Sequence, residues 1–432
     1  MKAYFLSLLQ LLVRLSFFIV LPTSHAISPS STTPKPNPSL NTHRCDCYLV
    51  NGPDPGYFER YEFYDFRHVP LDKYLNKVNS TSNHTILPYP APSSSLSKDI
   101  EDGLNSIDRL DNTTRLLFGK DAVELAHTPF ARFWKPQSWR RPISAIAPIE
   151  MKNSVHNVFF ARDPERLHGP NSTFLVLRTT RRKDYVSAAE IESTIHNLYH
   201  SSVRIRLRVF AAEPVPDDEE HYPAGNITLS DKILPPHGAC AGVFTYNSAI
   251  CESDIEILTA DPPNHVHYAN QPDYDPITDE AIPGASVVAH ITAPWTSWAS
   301  HRIDWLPWVS RWYQNDELLH TTRYSIPDKL SMLVVNLWSD GGVWTGDLKV
   351  GENVFLGIEW IEIAYNVSSK GLHGGVPVGK PDQRHTHRLS VAHTREMFVG
   401  SGARIGDDHG GDGGHEEGKS CRRPCWVDDF HQ

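Results

Sequence analysis

Between Cys251 and Leu258 the chain runs Cys-Glu-Ser-Asp-Ile-Glu-Ile-Leu, which sets Glu252, Asp254 and Glu256 at every second position. Side chains alternate between the two faces of a β-strand, so on a strand the three carboxyls point the same way. Crowded acids repel, and the crowding raises the proton affinity of at least one of them. One carboxylate free to attack and a second kept protonated is the pair that double-displacement cleavage of a glycosidic bond requires. At about 3.3 Å per residue the Cα atoms of Glu252 and Glu256 lie roughly 13 Å apart. Two glutamates leaning over Asp254 can close this to the about 5–5.5 Å carboxyl separation of retaining enzymes. Asp254 has the shorter reach and can bias where a shared proton lies. No extra residue separates Asp254 from Glu256, so the strand is expected to be regular there. The competing reading is a solvated strand edge carrying ordinary acids.

The elements around this string are short and β-like. Strands are expected at 157–161, 173–180, 203–211, 242–246, 251–258, 286–291, 300–305, 309–314, 333–338 and 355–364, separated by Gly, Pro, Asn and Asp clusters. No long segment of helical period intervenes. The pattern predicts an all-β sandwich or jelly roll. Trp305, Trp308, Trp312 and Trp360 lie in or beside strand-like runs and are expected in the core, whereas Trp134 and Trp139 could line one end of a cleft. Residues 77–125 are polar, carry three of the sequons and are expected to form a surface insertion with a short helix near 98–110. The segment 213–236 reads as an acidic, proline-containing loop.

The 432 residues carry a formal charge of −10, so no nucleic-acid footprint is expected. Residues 1–26 have the charge, apolar run and Ser-His-Ala end of a secretory signal, and Arg14 within the run argues against a membrane span. Residues 27–43 form a Ser/Thr/Pro linker. Six cysteines fit an oxidising compartment but allow fifteen pairings. Cys45 and Cys47 open the folded part, Cys421 and Cys425 close it, and these pairs are expected to cross-link the termini. Cys240 and Cys251 flank a candidate hairpin and either bridge or sit as small buried hydrophobes. Sequons at Asn79, Asn83, Asn112, Asn171, Asn226 and Asn366 agree with export. The Gly- and His-rich stretch after residue 370 has no regular ligand spacing and is expected to be a solvated tail up to Cys421. No metal and no cofactor is expected.

Gly238-Ala-Cys-Ala-Gly-Val-Phe-Thr-Tyr246, followed by Glu252-Ser-Asp-Ile-Glu256, resembles glycoside hydrolase family 16 in its secreted fungal branch. Other segments follow in order: Cys45-Asp-Cys-Tyr-Leu-Val-Asn51, Tyr64-Asp-Phe-Arg67, Phe174-Leu-Val-Leu-Arg-Thr-Thr-Arg181, Ser187-Ala-Ala-Glu-Ile-Glu192, His301-Arg-Ile-Asp-Trp305, Asn336-Leu-Trp-Ser-Asp-Gly-Gly-Val-Trp344 and Gly357-Ile-Glu-Trp-Ile-Glu-Ile363. The resemblance implies a concanavalin A-like β-sandwich jelly roll with a concave substrate cleft, spanning 44–370 with the 77–125 insertion, and then a 371–432 tail that ends in the Cys-x3-Cys segment. It implies Glu252 as nucleophile, Asp254 as assisting acid and Glu256 as general acid/base. Ser253 stands where an apolar residue is more usual, on the face turned away from the cleft. Tyr268, Asn270, Trp338 and Trp344 are the expected substrate contacts. The implied protein is a secreted, monomeric endo-β-1,3(4)-glucanase without a stable membrane anchor. The alternatives are a cell-wall transglycosylase using the same acids, and a non-catalytic sugar-binding protein.

Overall fold

Alternating apolar residues sort this chain into two antiparallel sheets that bury one face of each against the other. The computed structural model describes residues 45–53, 56–75, 118, 122–211, 213–214, 227–228, 233–275, 277–278, 280–367 and 423–431. The expected leader, linker and His-rich stretch fall outside these residues, as do the predicted helix near 98–110, most of the 77–125 segment and most of the acidic 213–236 loop.

The strands of the two sheets are β1 (Arg60–Asp65), β2 (Trp134–Pro136), β3 (Val158–Arg162), β4 (Thr173–Arg181), β5 (Tyr185–Ser193), β6 (Ser201–Phe210), β7 (Cys240–Ser248), β8 (Cys251–Leu258), β9 (His265–Asn270), β10 (Ser286–His290), β11 (Ala299–Leu306), β12 (Val309–Gln314), β13 (Glu317–Thr322), β14 (Met332–Trp338) and β15 (Asn353–Tyr365). The front sheet runs β2-β5-β14-β7-β8-β9-β10. The back sheet runs β3-β4-β15-β6-β11-β12-β13, with β1 taking the place of β4 beside the second half of β15. β5 belongs to both. Its first half pairs with β4 and, in parallel, with Glu150–Asn153, and its second half passes into the front sheet. The fold is the all-β jelly-roll sandwich that the strand pattern predicts.

The main core lies between the sheets. Val243, Ile255, Ile257, Val266, Tyr268, Val335 and Leu337 face it from the front, and Val203, Ile205, Ile303, Trp305, Trp312, Leu356 and Ile361 from the back. Trp305 and Trp312 are fully buried there, as expected, and so is Trp134, which does not line a cleft. Trp308 departs from expectation. It sits in the β11–β12 turn and is 56% exposed, because a two-residue turn has no sheet to pack on. Trp360 is partly buried beside Phe63 on the outer side of the back sheet.

One expected boundary changes, and one expected cross-link is present. Phe118 is buried against Phe159, Phe210 and Phe355, and Val123 and Leu125 join the main core, so the end of the 77–125 segment is structural rather than superficial. At the other end, Pro424–Trp426 pairs in parallel with Cys47–Val50, and a Cys45–Cys425 disulfide joins residues 380 apart. Arg204 grips Asp428 at 2.5 Å, and Phe430 packs edge-on against Tyr61. Residues 423–431 are therefore a clasp on the domain, in line with the expected cross-link between the terminal cysteine pairs. Cys47 is also disulfide-bonded, while Cys421 lies outside the described residues. Cys240 and Cys251 do not bridge. They lie at opposite ends of the β7–β8 pair, opposite Leu258 and Ser248 respectively, and both are buried.

Candidate active site

The register of β8 decides what its acids can do. It pairs with β7 without interruption from Cys240↔Leu258 to Tyr246↔Glu252, and the only shift falls at the hairpin end beyond Tyr246. Ser253, Ile255 and Ile257 therefore turn into the sandwich, and Glu252, Asp254 and Glu256 turn together onto the outer face of the front sheet. The three acids retain only 8%, 2% and 4% exposure, so they do not form the solvated edge of the competing reading. From behind, the Trp312 indole N–H donates to the Asp254 main-chain carbonyl at 2.9 Å, pinning the centre of β8 to the back sheet.

Side chains from four neighbouring strands share this outer face. Opposite Glu256 stand Gly242 on β7 and His267 on β9, and Asn336 of β14 and Glu190 of β5 extend the same row. Gly242 leaves room there: a Cβ at this position would lie 2.6 Å from Asn336 Oδ1 and would push that amide aside. Asn336 reaches over it towards Glu190, and the Trp139 indole N–H donates to Glu190 Oε1 at 2.7 Å. His267 Nε2 lies 2.6 Å from Asp261 Oδ2, and its ring meets the Trp344 ring edge-on, with centroids 4.9 Å apart.

Two donors converge on Glu256 Oε1: the Trp344 indole N–H at 3.3 Å and the Cys240 thiol at 3.6 Å. Trp344 rides on a loop that Asp340 organises. Asp340 Oδ1 accepts from the Gly342 N–H at 2.8 Å and from the Thr345 hydroxyl at 2.9 Å, and Oδ2 accepts from Arg141 at 2.6 Å. The loop passes so close to its neighbour that a Cβ on Gly342 would lie 2.4 Å from the Ile146 carbonyl. Next to Glu252, the Gln271 amide donates to Asp254 Oδ2 at 2.8 Å.

The expected substrate contacts divide. Trp344 stands beside Glu256. Trp338 is on the same face but 2% exposed, packed with Cys240, Leu258 and Met151 under the Arg141 guanidinium, so it supports the face rather than presenting a ring to it. Tyr268 and Asn270 require correction. They pair with Ile255 and Ser253, and their side chains point into the sandwich. Tyr268 stacks on Trp312. Asn270 accepts from the Ser253 hydroxyl and donates to Ser310 Oγ and the Tyr324 carbonyl, which ties the two sheets together. Neither can touch a molecule on the outer face. His267 and Gln271, one position away from them, do reach it. Alternation within Val266-His-Tyr-Ala-Asn-Gln271 carries that signal, since Val266 and Tyr268 share the apolar parity. Glu190, Trp139 and Asp340 come from distant segments. Among the described residues no group of three or more His, Cys, Asp or Glu is placed to hold a metal ion, and no helix is long and apolar enough to cross a membrane.

No family model matches the chain. A β-glucanase of Paenibacillus polymyxa is 29% identical over 73 residues, which is 16% of this chain and 31% of that protein, so the chain spans about a third of the length of this relative. Among solved structures, the β-glucanase of Bacillus licheniformis shares 16% identity at a TM-score of 0.39, covering 56% of this chain and 96% of that one. The catalytic domain of an endo-1,3-β-glucanase (laminarinase) from Thermotoga petrophila shares 14% at 0.39, covering 56% and 93%. A family 16 glycoside hydrolase from Bacteroides ovatus, in complex with a mixed-linkage glucan product, shares 14% at 0.38, covering 54% and 94%. The chain is thus similar to proteins named as β-glucanases over one short stretch of sequence and, at low identity, over about half its length in structure.

Proposed function

We propose that this chain is a glycoside hydrolase of family 16 type that cleaves β-glucan with retention of configuration, most specifically an endo-β-1,3(4)-glucanase. The observation that carries the reading is the set of three buried carboxylates, Glu252, Asp254 and Glu256, on one face of a regular strand. Glu252 attacks the anomeric carbon while Glu256 gives its proton to the departing glycosidic oxygen. The C–O bond breaks and a glycosyl ester on Glu252 forms. Glu256, now a carboxylate, takes a proton from water, and that water displaces Glu252 and restores both acids. The indole N–H of Trp344 and the thiol of Cys240 hold Glu256 in place, and Glu190 and Asn336 extend the buried polar row beside it. A location outside the cell fits the leader-like residues 1–26 and the Cys45–Cys425 disulfide.

The test is product analysis on laminarin, lichenan and other β-glucans, with and without an added oligosaccharide acceptor. Shortened products at all acceptor concentrations are expected. Products longer than the donor would assign the transfer reaction instead, and no turnover of any β-glucan would defeat the reading.

A further inference from the structure

Gln271 is the residue on this face whose hydrogen bonds fix its chemistry. Its side-chain Oε1 accepts from the Asp273 main-chain N–H at 3.1 Å. A backbone N–H can only donate, so the oxygen end of the amide is committed to Asp273 and the NH2 end to Asp254 Oδ2 at 2.8 Å. The segment that carries it is held from both sides. The Gln271 N–H donates to the Glu252 carbonyl at 3.0 Å, the Ser325 hydroxyl donates to the Gln271 carbonyl at 2.7 Å, and the Tyr324 hydroxyl donates to the Pro272 carbonyl at 2.9 Å. Gln271 is itself 8% exposed, so water does not readily replace its amide.

We propose that Gln271 is a positioning residue that keeps Asp254 an acceptor and thereby leaves the shared proton of the acid cluster on Glu256. This rests on the retaining reading above. With Oδ2 accepting from an N–H donor, the ionised form of Asp254 is favoured over the protonated one. The titratable groups around Asp254 on this face are Glu252 and Glu256 of its own strand, Tyr246 of β7, His267 of β9 with its partner Asp261, Asp273 beyond β9, and Glu190 and Glu192 of β5. The other acids all gain from an ionised Asp254 only by surrendering charge themselves, and Glu256 is the one placed to use the proton.

The experiment compares Gln271→Met, which keeps the shape without the donor, and Gln271→Glu, which regains a donor only when protonated. Both are assayed on β-glucan and on a 2,4-dinitrophenyl oligoglucoside, whose leaving group needs no proton. Loss of the donor is expected to lower kcat on glucan by roughly 10- to 100-fold, a part of the roughly 10²–10⁴-fold that general-acid catalysis contributes. KM should change little, and the dinitrophenyl substrate should lose much less. The pH–rate profile of Gln271→Met should narrow, and Gln271→Glu should recover towards acid pH. Equal losses on both substrates, or unchanged pH profiles in both variants, overturn the proposal. Wild-type protein inactive on both substrates defeats the retaining reading itself, which separates the two failures.

Discussion

The two faces of the front sheet use the same strands for opposite purposes. On the inner face Tyr268, Asn270, Ile255 and Ser253 are locked by ring stacking, apolar packing and closed hydrogen bonds. On the outer face Glu252, Asp254, Glu256 and Glu190 are almost as buried, with His267 only partly covered beside them, yet acids predominate. A fold that sought only stability would not keep this many carboxyls desolvated side by side. The difference between the faces is one residue of parity, and function follows parity more closely than residue type.

Substitutions on the two faces should therefore fail in different ways. The largest effect is expected from Glu252→Gln and Glu256→Gln: a loss of roughly 10³-fold or more in kcat/KM with little change in melting temperature. Near-normal turnover of laminarin or lichenan by either would break the comparison. Tyr268→Ala should do the reverse. It opens a cavity beside Trp312 and should cost about 3–5 kcal/mol of stability by denaturant titration, while the remaining folded enzyme keeps its KM. A selective rise in KM would return Tyr268 to the substrate.

A pH test probes the inner side further. His301 shares the inward parity of Ile303 and Trp305 on β11 and is fully buried, and desolvation lowers it to about 4 from an ordinary 6.5. The unfolded chain thus binds a proton here that the folded chain refuses. This contribution to stability is present above about pH 6.5 and is lost as pH falls towards 4, about 3 kcal/mol in all. His301→Leu should flatten that part of the stability–pH curve, and an unaltered curve would show that another group governs it. The smallest effect expected is from Trp344→Phe, which removes the N–H to Glu256 and should lower kcat roughly 10-fold with folding unchanged.

Much of this was legible in the residues. The spacing of Glu252, Asp254 and Glu256 defines both a strand and its acidic face, and the Val309–Gln314 and Cys251–Leu258 strands begin and end where alternation says they should. The partners were harder to read. Whether Tyr268 or His267 faces the acids depends on how β9 registers against β8, and Ala269 on the outer parity and Asn270 on the inner one break the alternation that His265–Tyr268 begins. Tyr185–Ser193 is not among the expected strands, because Ser187-Ala-Ala189 weakens its β character, although it supplies Glu190. Trp139, Arg141 and Asp340 meet near Glu256 from segments about 200 residues apart, and no local pattern encodes such a meeting. The clasp at 423–431 is legible through its cysteine but not through Asp428 or Phe430, whose partners lie on β6 and β1.

The most direct measurement is trapping of the glycosyl-enzyme. Full-length protein is incubated with a 2-deoxy-2-fluoro oligoglucoside bearing a good leaving group, digested, and analysed by peptide mass spectrometry. A single glycosyl adduct is expected on the peptide containing residues 251–258, with fragmentation assigning it to Glu252, and no adduct in Glu252→Gln. An adduct on Glu256 or on another residue, or turnover of β-glucan with inversion and no adduct, would contradict it.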